Sequence, residues 1–421
     1  MSGEADRLAE TVRTEGARIL ASLVRAVGDL QVAQDAVQEA SIIALRDWPV
    51  NGVPSQPRVW LTVTARHRAI DMLRRESARA GKEREAADVN ELSTSDLPPD
   101  SVVRDDQLRL IFTCCHPALA PEARVALALK ALCGLSTAEV AAVMLTGEAA
   151  MAKRLTRTKA KIAAAKIPYR VPGEAELPAR LGAVCGVIHA LYTSGHATFA
   201  IDPCAEAVRL ARLLCELLPD EPAPAAVLSL LLLTEARQPS RVDSSGDVVP
   251  LAEQDRTAWD ASLIAEGLAL LEKSLRRTEG VADPYQLQAA IAAEHARASS
   301  YVDTDWPEIV RLYDLLMEVA PSPAAGLARA VAVSESSGAA AGLAALDGIH
   351  GIDPDPRWHA VRAELLARLG RFPEAVAAAD ESLRGDITAQ ERAHRERRRA
   401  RWAAASRSAD LPARSAGSAR P

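Results

Sequence analysis

The chain has 421 residues, is 48% hydrophobic and 25% charged, and carries a formal net charge of −6. It is too long for one ordinary domain, so roughly two to four are expected. Aromatic residues make up only 3%, so Leu, Ala and Val must fill the core, and Leu and Ala favour helix. The six cysteines form no CxxC pair, which excludes a regularly spaced zinc cluster; the adjacent Cys114 and Cys115 read as small buried hydrophobes. The longest apolar stretch, around Val227–Leu233, falls far short of the ~20 residues that span a bilayer, and Glu4, Asp6 and Glu10 do not suit a secretory leader. A reduced, cytoplasmic protein with no membrane contact, metal or cofactor is expected.

Residues 5–84 read as a helical bundle. Ile19, Leu20, Leu23, Val27 and Leu30 keep a helical period, and the turn chemistry of residues 51–57, Asn-Gly-Val-Pro-Ser-Gln-Pro, must break it. Beyond the break Trp60, Val63, Ile70 and Leu73 line one stripe, with Arg66 and Arg74 off it. Residues 85–106, with Ser93, Thr94, Ser95, Pro98 and Pro99 among acidic side chains, read as a flexible linker. Residues 107–170 form a second helical unit. Pro121 opens a helix, Gly134 ends it, and Ser136-Thr137-Ala138-Glu139 is a capping box for the next. A turn at Leu145-Thr146-Gly147 leads into a helix from Glu148 whose Met151, Leu155 and Ile162 face inward. Residues 171–405 run helix after helix. Within them Ala363–Leu383 looks like a tetratricopeptide unit, in which Gly370 lets two helices cross closely and Ala375 sits in the seam. Residues 406–421 read as a disordered tail. The fold class is all-α.

The acidic total conceals two basic islands. Segment 58–84 holds Arg58, Arg66, Arg68, Arg74, Arg75, Arg79, Lys82 and Arg84 against Asp71, Glu76 and Glu83, and segment 148–170 holds Lys153, Arg154, Arg157, Lys159, Lys161, Lys166 and Arg170 against Glu148 alone. Solvated helix faces can show the same composition, so spacing must decide. Residues 136–163 have helix-turn-helix spacing. Glu148, Ala149, Ala152 and Lys153 open its second helix and are placed for base edges in a major groove, while Arg154, Arg157, Lys159 and Lys161 suit phosphates. In the first island the arginines are interleaved with Trp60 beside a loop, which suits DNA that is opened and stacked upon. A Trp at the start of an amphipathic helix is, however, more often core. Asp35, Gln38 and Glu39 share one helix face at i, i+3, i+4 spacing.

These residues resemble a family. Residues 32–39, Val-Ala-Gln-Asp-Ala-Val-Gln-Glu, resemble the polymerase-binding segment of sigma factor region 2. The run Trp60-Leu61-Thr62-Val63-Thr64-Ala65-Arg66-His67-Arg68, continuing to Arg74-Arg75, resembles the segment that binds the −10 promoter element. Met151-Ala152-Lys153-Arg154-Leu155-Thr156-Arg157 resembles the region 4 recognition helix, which binds the −35 element. The three occur in the family's order, and the chain is similar to extracytoplasmic-function sigma factors of the sigma-70 family, in the subgroup with a tetratricopeptide-like C-terminal extension. That likeness continues through Phe112-Thr113-Cys114-Cys115-His116-Pro117, residues 167–172, Gln254-Asp255-Arg256-Thr257-Ala258-Trp259, residues 285–293 and Thr304-Asp305-Trp306. It departs at Ser41, where an aromatic is common and looser packing is expected, and at Thr193-Ser194-Gly195-His196, where the subgroup has a different tetrad.

The resemblance implies a sigma region 2 bundle at 5–84, region 4 at 107–170 and a helical extension at 171–405. Asp35, Gln38 and Glu39 would meet core RNA polymerase. Arg58, Trp60, Arg66, Arg68, Arg74 and Arg75 would hold promoter DNA near the melted site. The extension is expected to modulate activity by docking on the sigma units. No catalytic constellation stands out: Arg256 beside Asp255, and His295 after Glu294, read as interhelical polar contacts, and strand opening needs no covalent chemistry. Three other classes compete. A conventional helix-turn-helix regulator with a helical ligand-sensing domain would leave the 32–39 and 60–75 segments unexplained. An enzyme in 175–400 requires a deep polar pocket around Gln254–Trp259 and Thr304–Trp306. A pure scaffold has no use for the basic islands.

Overall fold

In the computed structural model, residues 3–80, 100–144, 146–194, 203–241, 243, 249–349, 356–384, 387 and 389–409 are described. Every regular element among them is helical. They form two compact units, residues 1–224 and 225–421.

The first unit opens with α1 (Gly3–Val27), α2 (Leu30–Asn51) and α3 (Pro57–Ala80). Asp29 caps α2 by accepting from the amides of Gln31 and Val32, which satisfies donors that the first turn leaves open. The expected break falls after Asn51, where Gly52 takes φ +83 and bonds back to the carbonyl of Trp48. The buried stripe of α2 is Leu30, Ala33, Ala36, Ala40, Ala44 and Trp48. Alanines at that spacing let α3 lie close, and α3 answers with Leu61, Ala65, Ala69 and Ile70. The stripe of α3 is thus rotated from the expected one, and Val63 is 42% exposed. Ile70 is buried as expected, and the alanine lining of α2 lets α3 approach closely through Ala65 and Ala69 beside Leu61.

Helix α4 (Asp100–Cys114) begins inside the stretch read as linker. It is followed by α5 (Pro121–Ala131), α6 (Thr137–Val143) and α7 (Glu148–Ala164), then α8 (Leu177–Ser194) and α9 (Pro203–Leu217). The capping box is present as read: the Ser136 amide donates to Glu139 and the Glu139 amide to the Ser136 hydroxyl. Gly134 adopts φ +71 after α5, and a Cβ there would stand 3.0 Å from the Val12 carbonyl oxygen of α1. It serves both the turn and a close approach.

The second unit holds most of α10 (Pro222–Glu235), then α11 (Ala261–Arg276), α12 (Pro284–Arg297), α13 (Trp306–Val319), α14 (Pro323–Ser337), α15 (Ala339–Asp347), α16 (Pro356–Arg368), α17 (Phe372–Ser382) and α18 (Ala389–Ala409). From α11 onward each helix packs on the next, the pattern of stacked helical pairs. α18 reaches Ala409, so residues 406–409 of the expected tail are helical.

The close crossings lie elsewhere than expected. Gly370 takes φ +74 in the turn between α16 and α17, with nothing within 4 Å of a Cβ built there. It is needed for a left-handed turn, not for a crossing. Ala375 is fully buried in the seam, as read. The crossings are at Gly267, whose Cβ would come 2.8 Å from Leu233, and at Gly342, 2.9 Å from the Ser334 Cα. Gly342→Ala is expected to lower the stability of this unit by about 1–3 kcal/mol through overpacking. Gly182→Ala on α8, where no atom lies within 4 Å, should cost nothing. Urea unfolding of the two variants checks the difference.

Candidate nucleic-acid interface

On α7 the side chains divide by helical period. Met151, Leu155, Thr158 and Ile162 are buried, while Glu148, Ala149, Ala152, Lys153, Arg157 and Lys161 are exposed and Arg154 is half-buried. The residues expected to read bases and phosphates therefore form one continuous outward face, backed by an apolar stripe on α5 and α6. Lys159 departs from it. On the helical wheel it stands in line with Glu148 and Ala152, but about two turns beyond Ala152 it lines a cavity of about 310 Å³ with Lys130 and Glu139, opposite Gln34, Asp35 and Gln38 of α2. Burial and the nearby Lys130 lower its pKa, and Asp35 and Asp29 act in the opposite direction. The cavity also takes in Ser41, the position where looser packing was expected.

On α3, Arg74 and Arg75 are exposed, and Arg58, Arg66 and Arg68 are half-buried. Arg68 lies 3.7 Å from Asp71, and Arg58 lies 4.0 Å from Glu15. Pairs this open to solvent contribute little, so both cations can turn to a better anion. Trp60 is half-buried edge-on to the fully buried Trp48, ring centroids 5.7 Å apart. Much of its surface is used for packing. Lys82 and Arg84 lie outside the described residues, as does the side chain of Arg79.

Asp35, Gln38 and Glu39 do share one side of α2, with Gln38 exposed and the two acids half-buried. Asp35 accepts from Gln31 at 2.8 Å.

What joins these faces was not legible in the sequence. Asp106, assigned to the linker, has no exposed side-chain surface; Arg25 of α1 lies 2.7 Å from one carboxylate oxygen and Arg109 2.9 Å from the other. Burial raises the Asp106 pKa in spite of both arginines. The Tyr169 hydroxyl lies 2.8 Å from the Ala21 carbonyl oxygen and 3.1 Å from that of Asp106. That gives the motif at 167–172 a physical role. Arg180 of α8 donates to the Phe112 carbonyl, and Arg209 of α9 to that of Leu132. Cys114 and Cys115 are wholly buried, and burial pushes the Cys115 thiol up to about 12. Both are therefore protonated fillers of the core.

In the second unit Arg256 donates to the carbonyls of His295 and Ala298 and to the Thr304 hydroxyl. Its guanidinium lies 4.9 Å from the Trp259 ring centre, with Arg237 at 5.3 Å. Trp259 donates to Ser240, and His295 meets Trp306 edge-on at 5.3 Å. Arg256 thus straps a long loop to the end of α12 and to Thr304 ahead of α13, a loop tie where an interhelical contact was expected, while His295 does meet α13 through Trp306.

Family comparison agrees with this geometry. The model for sigma-70 region 2 matches residues 11–79, that for sigma-70 region 4 matches 109–162, and a family of unknown function (DUF6596) matches 180–275. A protein of Rhizobium meliloti (strain 1021), described only as uncharacterized, is 40% identical over 387 residues, covering 89% of this chain and 91% of the relative. SigI of Mycobacterium tuberculosis (strain H37Rv), named as a probable ECF RNA polymerase sigma factor, is 28% identical over 169 residues, 39% of this chain and 58% of SigI. No solved structure matches. The chain belongs to the extracytoplasmic-function sigma factors and carries a helical C-terminal extension. It directs promoter recognition and transcription initiation. Membership implies binding to core RNA polymerase and promoter DNA. Among the described residues no helix is long and apolar enough to cross a membrane.

Two measurements test these contacts. Arg25→Ala leaves the sealed Asp106 carboxylate with Arg109 alone, and should destabilise the first unit by about 2 kcal/mol in urea unfolding. His295 is held down to about 4 by burial, then by Arg237 and Arg256. The unfolded chain therefore takes up its proton first as pH falls. Stability of the second unit is expected to be level above pH ~6.5 and to decline between there and pH ~4, by up to about 3 kcal/mol. His295→Gln should flatten that decline in thermal unfolding across the same window.

Proposed function

We propose a division of labour among these faces. The α2 face carrying Asp35, Gln38 and Glu39 engages core RNA polymerase. Arg58, Arg66, Arg68, Arg74 and Arg75 on α3 hold promoter backbone at the −10 element, and Trp60 borders the site of melting. On α7, Glu148, Ala149, Ala152 and Lys153 read the −35 element, with Arg154 and Arg157 on phosphates. Lys159 reaches phosphate only once it leaves its place beside Asp35. The observation that carries this reading is the outward face of α7, polar and basic along its length and backed by Met151, Leu155, Thr158 and Ile162. Duplex recognition by a docked helix requires that face.

The extension acts through the sigma units, and the protein works in the cytoplasm without covalent chemistry of its own. Support for such docking comes from Arg180 and Arg209, which tie the first two helices of the extension to carbonyls of the region 4 unit. Both ties come from side chains that donate to backbone, so they constrain position without depending on a particular partner side chain.

Run-off transcription with purified core polymerase, on promoter fragments selected by the protein, tests the assignment. Start-site-specific transcripts should require the protein. Arg74→Ala with Arg75→Ala should reduce them at least tenfold and flatten the salt dependence of promoter binding by about two units of slope. Duplex binding that needs no core polymerase, without initiation on any selected fragment, would point instead to a conventional helix-turn-helix regulator.

A further inference from the structure

A third basic surface lies at the far end of the chain. α18 carries seven arginines against two glutamates, Glu391 and Glu396, in a protein whose formal net charge is −6. The arginines divide into two sets. Arg398 pairs with Glu364 and lies over the Trp402 ring, and Arg399 pairs with Asp380. Arg395, only 11% exposed, donates to the carbonyls of Pro356 and Ser382. These three, with the buried Trp402, fasten α18 to α16 and α17. Arg397, Arg401 and Arg407 are exposed; Arg392 is exposed too but donates to the Leu383 carbonyl at 3.0 Å, and no carboxylate lies within ion-pair distance of Arg401 or Arg407 among the described residues.

At about 100° per residue the inward set and Trp402 occupy roughly a third of the helix circumference; Arg397, Arg401 and Arg407 fall within the opposite half, and Arg392 lies at its edge, about 20° from Arg399. From Arg392 to Arg407 the outward face runs about 22 Å at 1.5 Å per residue. A duplex presents roughly one phosphate charge per 1.7 Å of its axis, so a face of this length lies along many of them. The side chains between the arginines are Ala393, Glu396, Ala400 and Ala404. A protein partner calls for an aromatic or apolar anchor at the centre of its contact, and this face has none. Cations set among small residues suit a backbone that is gripped without being read.

We propose that the outer face of α18 binds the phosphate backbone of duplex DNA, independent of sequence, as an additional contact of the initiation complex. The proposal rests on the sigma factor reading for the presence of DNA, and on the two sets of arginines for its place.

The test uses full-length protein with Arg392→Ala, Arg401→Ala and Arg407→Ala combined, beside a second variant with lysine at the same three positions. Binding to a promoter fragment with core polymerase, and to plain duplex without it, is measured across a salt series. The alanine variant is expected to lose between about two and three units of the slope of log K against log salt, with affinity in low salt falling at least tenfold. The lysine variant should restore both, because charge and not fork geometry is at stake. Circular dichroism should be unchanged, since Arg401 and Arg407 are exposed and Arg392 gives up a single surface bond to the Leu383 carbonyl. An unchanged slope with transcription intact overturns the α18 contact and leaves the sigma reading standing. An unchanged slope with core polymerase binding lost overturns it in favour of an acidic protein partner. If no initiation is seen at all, the slope on plain duplex still decides the matter.

Discussion

A carboxylate sealed from solvent must be met by charge and hydrogen bonds, and Asp106 imposes that demand on the first unit. Arg25 comes to it from α1 and Arg109 from its own helix, while Tyr169 closes over the adjoining backbone. The raised pKa shows that burial costs this carboxylate more than the two arginines return. The cluster is therefore a poor source of net stability and a strong source of register. α1, α4 and the segment after α7 meet in the one arrangement that leaves no charge bare. That arrangement sets the acidic side of α2 opposite Lys159 of α7, with the cavity between them.

The second unit works under a different constraint. Beside its Leu, Ile and Trp core, small residues line several of its seams, and there its helices approach closely. Gly267 and Gly342 permit that approach, at distances where a single methyl group would collide. Alanines such as Ala289, Ala293, Ala330 and Ala375 line the same seams. Where an aromatic does appear it is held from more than one side, as Trp259 is by Arg237, Arg256 and Ser240. Arginine is the common polar fastener throughout, its planar fork spanning two carbonyls or a carboxylate at once. The helices that carry charge for a partner and the helices that use charge to fold are thus built from one residue type, and only geometry tells them apart.

Much of the architecture is written locally. Asp29, the Ser136–Glu139 capping box, Pro121 at a helix start and the break after Asn51 each act within four residues of themselves, so the sequence displays them directly. The outward face of α7 follows from the same periodicity. Where periodicity alone misled, a partner helix intervened. α3 met the alanines of α2 through Ala65 and Ala69 beside Leu61, and Gly370 proved to serve a left-handed turn while the close crossings went to other glycines.

By itself the sequence determined an all-helical protein, the order of its two DNA-facing units and its membership among the sigma factors, because helical period, caps and linear motifs are short-range properties. Only the tertiary structure decided that Asp106 is a buried anchor, that Lys159 faces α2, and that Arg256 is a strap. It also divided the arginines of α18 between inner ties and outer surface. Tyr169 and Ala21 are 148 residues apart, and Arg256 and Thr304 are 48 apart. Contacts across such separations depend on how whole helices dock, and no local pattern of residues encodes that docking.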